Sequence, residues 1–200
     1  MTGLRERKKQ QTYDALSEAA IALFLKHGYD EVTVNDIAAA ADVSKPTLFK
    51  YFASKEDLVM HRILDHLGEP ARIVAATTAP PVDVLREHFF QGLAAREPTT
   101  GLNDHPQVLA YYKLVFTTPA LATRLREFAD DDEKTLSDVL GGSLAAELLA
   151  AQLLSTRRIL AYRNWLALST GRTAAQRFPA ATAEADEAFA RIQPLRSRLH

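Results

Sequence analysis

The sequence predicts an all-α protein in which an N-terminal three-helix helix-turn-helix module is followed by a larger helical domain. Apolar residues recur at three- and four-residue spacing along the whole chain, which is the pattern of helices that bury one face. No sustained two-residue alternation is present, and Val and Ile are sparse beside Ala and Leu. Ser, Thr, Gly and Pro residues divide the pattern into separate helices, because these residue types favour helix ends.

The composition is that of a globular protein without cysteine chemistry. The 200 residues allow one or two domains. Hydrophobic residues make up 47% and charged residues 24%, which excludes wholesale disorder. Cysteine is absent, which excludes disulfides, zinc–thiolate sites and a cysteine nucleophile. No apolar run reaches the ~18–20 residues of a membrane span, and the basic N-terminus lacks an apolar core, so we expect a cytoplasmic protein.

The first helix is predicted over residues 5–26. Gly28 follows its end, as expected of a residue that tolerates the left-handed conformation. The apolar residues that share one face of this helix are Leu16, Ala19, Ala20, Leu23 and Phe24. This face is therefore expected to pack against the rest of the module.

A short second helix is predicted over residues 34–41. Thr33 is its expected N-cap, because Asp36 stands three residues later in the spacing of a capping box. Asp42 and the residue after it form the tight turn that joins this helix to the next one.

The third helix is predicted over residues 44–52, with Ser44 as its N-cap. Pro46 lies in its first turn, where a missing N–H group costs little. A fourth helix, capped by Ser54, is expected to end near Leu67 and to connect the module to the rest of the chain.

The domain boundary is predicted at this fourth helix, so that residues 1–54 form the helix-turn-helix domain and residues 55–200 form the second domain. Gly68 and Pro70 interrupt the helical pattern. The helices predicted after this break cover residues 82–96, 104–116, 119–140, 144–169 and 173–192. The helix over 144–169 is strongly apolar on one side and therefore needs a core or a second subunit against which to pack.

The third helix presents side chains outward that suit contact with DNA. Its inward residues, with those of the second helix, are expected to be Val34, Ile37, Ala38, Leu48 and Phe52. Its outward residues are Lys45, Thr47, Lys50 and Tyr51. Lys and Tyr side chains can reach phosphates, and Thr can contact a thymine methyl group or a backbone oxygen. Lys55, at the start of the fourth helix, is a further candidate for a phosphate contact.

Positive charge is concentrated at this helix and at the N-terminus, although the whole chain carries a formal charge of −1. Segment 1–11 holds four basic residues against Glu6, and segment 44–55 holds three lysines and no acid. Each segment therefore carries a net charge of +3. Local charge of this kind favours phosphate binding, whereas the bulk charge does not indicate a nucleic-acid partner.

The run from Thr33 to Leu58, together with residues 19–29, closely resembles the DNA-binding region of the TetR family of transcriptional regulators. The resemblance implies a homodimer that binds a double-stranded DNA operator through its N-terminal domains. It also implies a C-terminal half that binds a small-molecule inducer and dimerises through a four-helix bundle. Four residues match positions that commonly touch DNA in the family: Lys45, Thr47 and Tyr51 of the third helix, and Lys55 at the start of the fourth. The full set of predicted DNA-binding residues is Thr33, Lys45, Pro46, Thr47, Lys50, Tyr51 and Lys55.

Two residues depart from the family pattern. Asp42 stands in the turn where the family often has Gly, and Asp adopts the left-handed conformation at some cost. Phe49 stands where Tyr is common, which removes one hydroxyl from this face of the third helix.

The C-terminal half is similar, through residues 118–125, to family members with acyl-CoA-like ligand-binding domains. It also contains many aromatic side chains, which could line an apolar pocket with a few polar groups. The predicted ligand-binding residues are Phe89, Phe90, Tyr111, Tyr112, Phe116, Arg158, Tyr162 and Trp165. The alternative for the aromatic residues is an ordinary core. One of the neighbouring Arg157 and Arg158 could form a salt bridge across the dimer or face an anionic ligand in the pocket, and the alternative is that their stems cover apolar surface.

We therefore expect a ligand-responsive repressor that binds a pseudo-palindromic operator as a dimer and is released by a small hydrophobic or acyl-CoA-like inducer. A helical enzyme and a protein-interaction adaptor are the alternatives. The chain lacks the dinucleotide-binding, phosphate-binding and nucleophile-elbow motifs of enzymes, and we expect no cofactor. We also expect no metal site, because the consecutive acids at 130–133 point in different directions along a helix, and His61 and His66 are five residues apart.

Overall fold

The computed structural model of the protein describes residues 2–64 and 66–192. The described residues form ten α-helices and one 3₁₀ turn, and they contain no strand. The α-helices are α1 (Thr2–His27), α2 (Val34–Ala40), α3 (Lys45–Tyr51), α4 (Lys55–Leu64), α5 (Glu69–Ala75), α6 (Pro81–Ala95), α7 (Pro106–Thr117), α8 (Pro119–Val139), α9 (Leu144–Ser169) and α10 (Ala174–Ala190). The predicted all-α fold class is thus confirmed.

Contacts within the described part of the chain divide it into two compact units. Unit 1 is drawn from residues 1–66 and 110–126, and unit 2 is drawn from residues 67–109 and 127–200. Helix α4 belongs to unit 1, because it packs against α1. The domain boundary placed between residues 54 and 55 remains a prediction.

Unit 1 contains the three helices predicted for the helix-turn-helix module. Thr33 caps α2 through a capping box: its hydroxyl accepts the Asp36 N–H at 3.3 Å, and its own N–H donates to the Asp36 carboxylate at 2.8 Å. Ser44 caps α3 by accepting the N–H of Thr47 at 3.2 Å. Asp42, in the turn between α2 and α3, has a φ of 53°. The caps and the turn therefore lie where the sequence predicts them.

Unit 2 has an apolar core to which α6, α9 and α10 contribute. Phe89 of α6 and Phe189 of α10 lie in this core with their ring centroids 6.0 Å apart. The 3₁₀ turn at Pro98–Thr100 leads into Gly101, whose φ is +69°. A Cβ at Gly101 would lie 1.9 Å from the carbonyl oxygen of Ala161 on α9, so only glycine allows this approach.

The segment after the fourth helix differs from the prediction. We expected one helix to end near Leu67 and no helix before residue 82, whereas α4 ends at Leu64 and α5 covers Glu69–Ala75. Pro70 lies in the first turn of α5, where proline starts a helix as readily as it ends one, and this ambiguity explains the error.

Within the described residues, no helix combines the length and apolar character that crossing a membrane requires.

Candidate nucleic-acid interface

Helix α3 exposes one polar face and buries the other. Leu48 is completely buried, whereas Lys45, Pro46 and Lys50 are exposed. Phe49, beside Leu48 in the chain, is 46% exposed. The register predicted for this helix is therefore confirmed. The structure adds an exposed aromatic ring next to the lysines, whereas the sequence alone indicates only the hydroxyl that Phe49 lacks.

The two lysines of this face have no ion-pair partner among the described residues. Among the described residues, none forms an ion pair or a hydrogen bond with the ammonium group of Lys45 or Lys50, and α3 contains no acidic residue. Their charges are therefore available to a phosphate group.

Thr47 and Tyr51, the other two predicted contacts on α3, are only partly exposed. The Thr47 hydroxyl lies 2.7 Å from the Ser44 hydroxyl, so it takes part in the cap of α3. The Tyr51 ring lies edge-on against Tyr13 of α1, with the ring centroids 4.9 Å apart. Both side chains are thus oriented by contacts within unit 1.

Thr33 and Lys55 are engaged in unit 1 by different means. The Thr33 hydroxyl donates its single proton to the Asp36 carboxylate at 2.6 Å, so a phosphate would have to compete with that bond. The Lys55 ammonium donates to the carbonyl oxygen of Tyr29 and lies 4.1 Å from the centre of the Tyr29 ring. A phosphate contact by Lys55 would have to use its remaining N–H groups. The hydrogen bond that the Thr33 hydroxyl donates to the Asp36 carboxylate also lowers the pKa of Asp36.

The basic N-terminal segment forms the first turns of α1. The side chains of Arg7, Lys8 and Lys9 are exposed, and the Lys9 ammonium lies 5.9 Å from the centre of the Tyr13 ring. The side chain of Arg5 and residue Met1 lie outside the described part of the structure. The segment therefore extends a helix of the module.

Three of the predicted ligand-binding residues lie on α7, in unit 1. Tyr111 is buried, and its hydroxyl donates to the carbonyl oxygen of Val59 at 2.9 Å. Tyr112 stacks on Phe116 with ring centroids 5.6 Å apart. Burial raises the pKa of Tyr112 to about 12, and burial also raises the pKa of Tyr111. Both phenols are thus neutral at ordinary pH, and Tyr111 already uses its donor within the protein.

The other five predicted ligand-binding residues lie in unit 2 and have different environments. Phe89 is a core residue, and Phe90 lies under the Arg86 guanidinium, 4.6 Å from its ring centre. Tyr162 and Trp165 pack together at 5.6 Å, and the Trp165 N–H points at the carbonyl oxygen of Leu109 at 3.5 Å. Arg158 is exposed.

Unit 2 also has an open groove of about 450 Å³ along α5 and α6. It is lined by Ile73, Thr77, Ala79, Asp83, Val84, Glu87, His88 and Gln91. None of the predicted ligand-binding residues belongs to this lining. Their part in ligand binding therefore remains a prediction.

A group of charges inside unit 2 was not predicted from the sequence. Burial lowers the pKa of Arg157, which faces the carboxylates of Glu69, Asp132 and Glu97. Asp132 accepts the backbone N–H of Gly68 at 2.6 Å, and burial raises its pKa. The half-buried Arg157 thus faces carboxylates of unit 2, whereas Arg158, which was predicted to bind a ligand, is exposed. The described residues contain no group of three or more side chains that could hold a metal ion.

Comparisons with known proteins agree with this architecture. The family model described as bacterial regulatory proteins, tetR family, matches residues 16–61. The chain is 30% identical over 149 residues to the transcriptional regulator TcmR of Streptomyces glaucescens, an alignment that covers 73% of this chain and 66% of TcmR. It is 34% identical over 99 residues to the transcriptional repressor KstR2 of Mycobacterium tuberculosis, covering 48% and 47% of the two chains. The chain thus spans less than two thirds of the length of these relatives.

Solved structures extend the likeness of fold to nearly the whole chain. The complex of SmeT with triclosan matches with a TM-score of 0.60 at 15% identity and covers 90% of each chain. The regulator FadR from Bacillus subtilis, in complex with stearoyl-CoA, matches with a TM-score of 0.57 at 15% identity, covering 90% of this chain and all of FadR. At this identity the likeness shows the fold alone. The family model and the sequence relatives, and not these structures, show that the chain belongs to the TetR family of bacterial regulatory proteins.

Proposed function

We propose that this protein is a transcriptional repressor that acts in the cytoplasm by binding a pseudo-palindromic DNA operator as a homodimer. The observation that carries the proposal is the exposed face of α3. Lys45 and Lys50 are exposed without ion-pair partners among the described residues, while Leu48 anchors the helix from behind. A short helix that presents such a face after a tight turn has the geometry of a recognition helix, which lies in the major groove of DNA. We therefore favour a regulator over a helical enzyme or an adaptor protein.

Helix α9 supports the proposal of a dimer. Its outer face carries large apolar side chains that are 44–71% exposed: Leu144, Leu148, Ile159, Tyr162 and Leu166. We call these five residues the α9 stripe. They recur at helical spacing on a helix of 26 residues, and large exposed apolar patches mark interaction sites. A second copy of α9 is the occupant we propose, within a four-helix bundle.

The dimer would present two copies of α3 to the DNA. Recognition helices of such dimers enter successive major grooves, about 34–36 Å apart on one side of the duplex. An inverted repeat in the operator would then reflect the two-fold symmetry of the protein. The predicted DNA-binding residues Thr33, Lys45, Pro46, Thr47, Lys50, Tyr51 and Lys55 belong to this proposal.

A small molecule that binds the second domain is the proposed signal. KstR2 is named a repressor, and FadR and SmeT were solved with stearoyl-CoA and with triclosan. We propose a mainly apolar ligand for this protein as well, with the eight predicted residues as first candidates. Such a ligand can release DNA only by binding the DNA-incompetent state more tightly, and by reciprocity DNA weakens the ligand by the same factor.

The experiment that tests the proposal is selection of bound duplexes from a random pool, read at two salt concentrations. We expect an enriched inverted repeat, with affinity that falls steeply as the salt concentration rises. Weak, unselective retention of DNA by a folded protein would contradict a role as an operator-binding regulator.

A further inference from the structure

Four aromatic rings from three helices of unit 1 meet at the C-terminal end of α3. They belong to Tyr13 of α1, to Tyr51 and Phe52 at the end of α3, and to His61 of α4. We call these four residues the ring cluster. Tyr13 lies at its centre, because its ring contacts the rings of all three other members.

The contacts of Tyr13 have the geometries that aromatic pairs prefer. Its ring meets Tyr51 edge-on at 4.9 Å and 83°, and it meets Phe52 edge-on at 5.1 Å and 78°. It stacks on His61 at 5.4 Å with an interplanar angle of 20°. Edge-to-face and offset-stacked pairs are both favourable beyond the area that they bury, so the cluster constrains the Tyr13 ring from several sides.

His61, which stacks on Tyr13, is itself held in place by contacts with α1 and with Phe52. Its Nε2 lies 3.2 Å from the carboxylate of Asp14, and its ring meets Phe52 edge-on at 5.6 Å. Only 14% of the His61 side chain is exposed. The contact between His61 and Asp14 thus adds a polar link to the ring contact between α1 and α4. Gln10, also on α1, donates a hydrogen bond to the same carboxylate at 3.0 Å.

Tyr51 has few other constraints on its side chain. It is the last residue of α3, and Phe52 after it is extended, with φ −129° and ψ 129°. Among the described residues no hydrogen bond involves the Tyr51 hydroxyl. A long side chain at the end of a helix loses rotamer freedom when it binds, and a contact that orders it beforehand reduces that loss.

We propose that Tyr13 is a positioning residue for DNA binding: supported by His61, its ring sets the orientation of Tyr51 on the DNA-facing side of α3. This inference rests on the proposed function. It assigns a role in operator affinity to a residue of α1 that lies 38 positions before Tyr51 in the sequence. Tyr13 itself need not touch DNA.

The test is a double-mutant cycle on operator affinity, using the inverted repeat selected with the wild-type protein. Tyr13→Leu removes the ring, and we expect it to weaken binding about threefold to tenfold. Tyr51→Ala removes the side chain that is positioned. In the Tyr51→Ala background, Tyr13→Leu should have almost no further effect, since nothing remains to be oriented. Tyr13→Phe keeps the ring and should bind as the wild type does.

Stability is followed separately, by thermal unfolding of each variant. A purely structural role for Tyr13 would give equal, additive losses of affinity in both backgrounds, and that result would overturn the inference. Equal loss in Tyr13→Phe and Tyr13→Leu would overturn it too, because the hydroxyl would then be the active group.

His61→Leu is the second variant, in case Tyr13→Leu does not fold. It removes the ring that stacks on Tyr13 and leaves Tyr13 intact, and we expect its effect on operator affinity to depend on Tyr51 in the same way. An affinity loss that persists unchanged without the Tyr51 ring would contradict the positioning role. Absence of any selected repeat with the wild-type protein would instead overturn the proposed function and this inference together, before any variant is made.

Discussion

Arg177 and Glu184, two turns apart on α10, are joined by two parallel hydrogen bonds. Arg177 donates from Nη1 and Nη2 to the two carboxylate oxygens at 2.8 and 2.6 Å. Its Nε donates to Asn164 of α9 at 2.9 Å, and Asn164 donates in turn to the carbonyl oxygen of Thr100 at 3.0 Å. Each of the three guanidinium nitrogens of Arg177 thus donates a hydrogen bond, which allows a side chain that is 93% buried to lie between the helices of unit 2.

The first prediction concerns the acid stability of this network. Hydrogen bonds from Arg177 and Arg163 lower the pKa of Glu184 from 4.5 to about 2. The stabilisation is therefore complete above the unfolded pKa and is lost as the pH falls from about 4.5 through about 2. Glu184→Gln should lower the free energy of unfolding by about 1–3 kcal/mol at neutral pH, and the difference from wild type should shrink on acidification. Urea denaturation across this pH range measures it.

Glu187→Gln is the matched control for that experiment. Glu187 pairs with Arg191 on the same helix, but 66% and 76% of the two side chains are exposed. Exposed pairs of this kind contribute little, so the substitution should change stability by less than ~0.5 kcal/mol. If the deficit of Glu184→Gln were the same at every pH, the carboxylate charge would not be the cause.

The second prediction concerns the lysines of α3. Lys45→Ala and Lys50→Ala should each weaken operator binding and reduce the salt slope by about 1, because each removes one phosphate contact without affecting the core. Fluorescence anisotropy over a salt series is the measurement. Lys134→Ala, an exposed lysine on α8, is the control and should leave both quantities unchanged. Unaltered affinity in both α3 variants would show that another face of the protein binds DNA.

Much of unit 1 could be predicted from the sequence, because its helix ends are set locally. Thr33 and Asp36 are three residues apart, and the capping box that they form at the start of α2 depends only on this short segment. The position of Lys55 could not be predicted in this way. Its ammonium contacts the carbonyl of Tyr29 and the ring of Phe24, which the fold brings together from 26 and 31 positions away.

The inward and outward arginines of α9 show a second limit. Neighbouring residues on a helix differ by about 100° in direction. An error of about half that angle in the predicted helical phase therefore changes which of Arg157 and Arg158 is expected to face the core. The sequence predicts Arg158 as the arginine that binds a ligand, whereas the packing of Glu69 and Asp132 beside α9 makes Arg157 the arginine that faces carboxylates. The residues that line a pocket likewise depend on how helices distant in the sequence pack together, so they are harder to predict than helix caps, which depend on neighbouring residues.

The third prediction separates the two sides of α3. Leu48 is completely buried, so Leu48→Ala should reduce the free energy of unfolding by about 2–5 kcal/mol through lost burial and the cavity that remains. Phe49→Ala, at the neighbouring exposed position, should change stability by no more than about 0.5 kcal/mol. Thermal and urea unfolding of both variants compare the two sites directly. Equal destabilisation at 48 and 49 would contradict the helix register described here.

The fourth prediction concerns the α9 stripe. Leu148 and Ile159 are both 57% exposed in the single chain, and a charge at either position would have to be buried if two copies of α9 pack together. The double variant Leu148→Glu with Ile159→Glu should therefore be a monomer in analytical ultracentrifugation at concentrations where the wild type is a dimer. It should also bind the operator far more weakly, because each half-site would then be bound independently.

Ala94→Glu provides the control for this variant. Ala94 is an exposed apolar residue on α6, so the substitution adds a charge of the same sign away from the α9 stripe. It should leave the dimer intact. Circular dichroism of the double variant must show the helical content of the wild type, since loss of the fold would also abolish association. A folded double variant that remains a stable dimer would place the interface on another surface, and the exposed Phe178 of α10 would then be the next position to test.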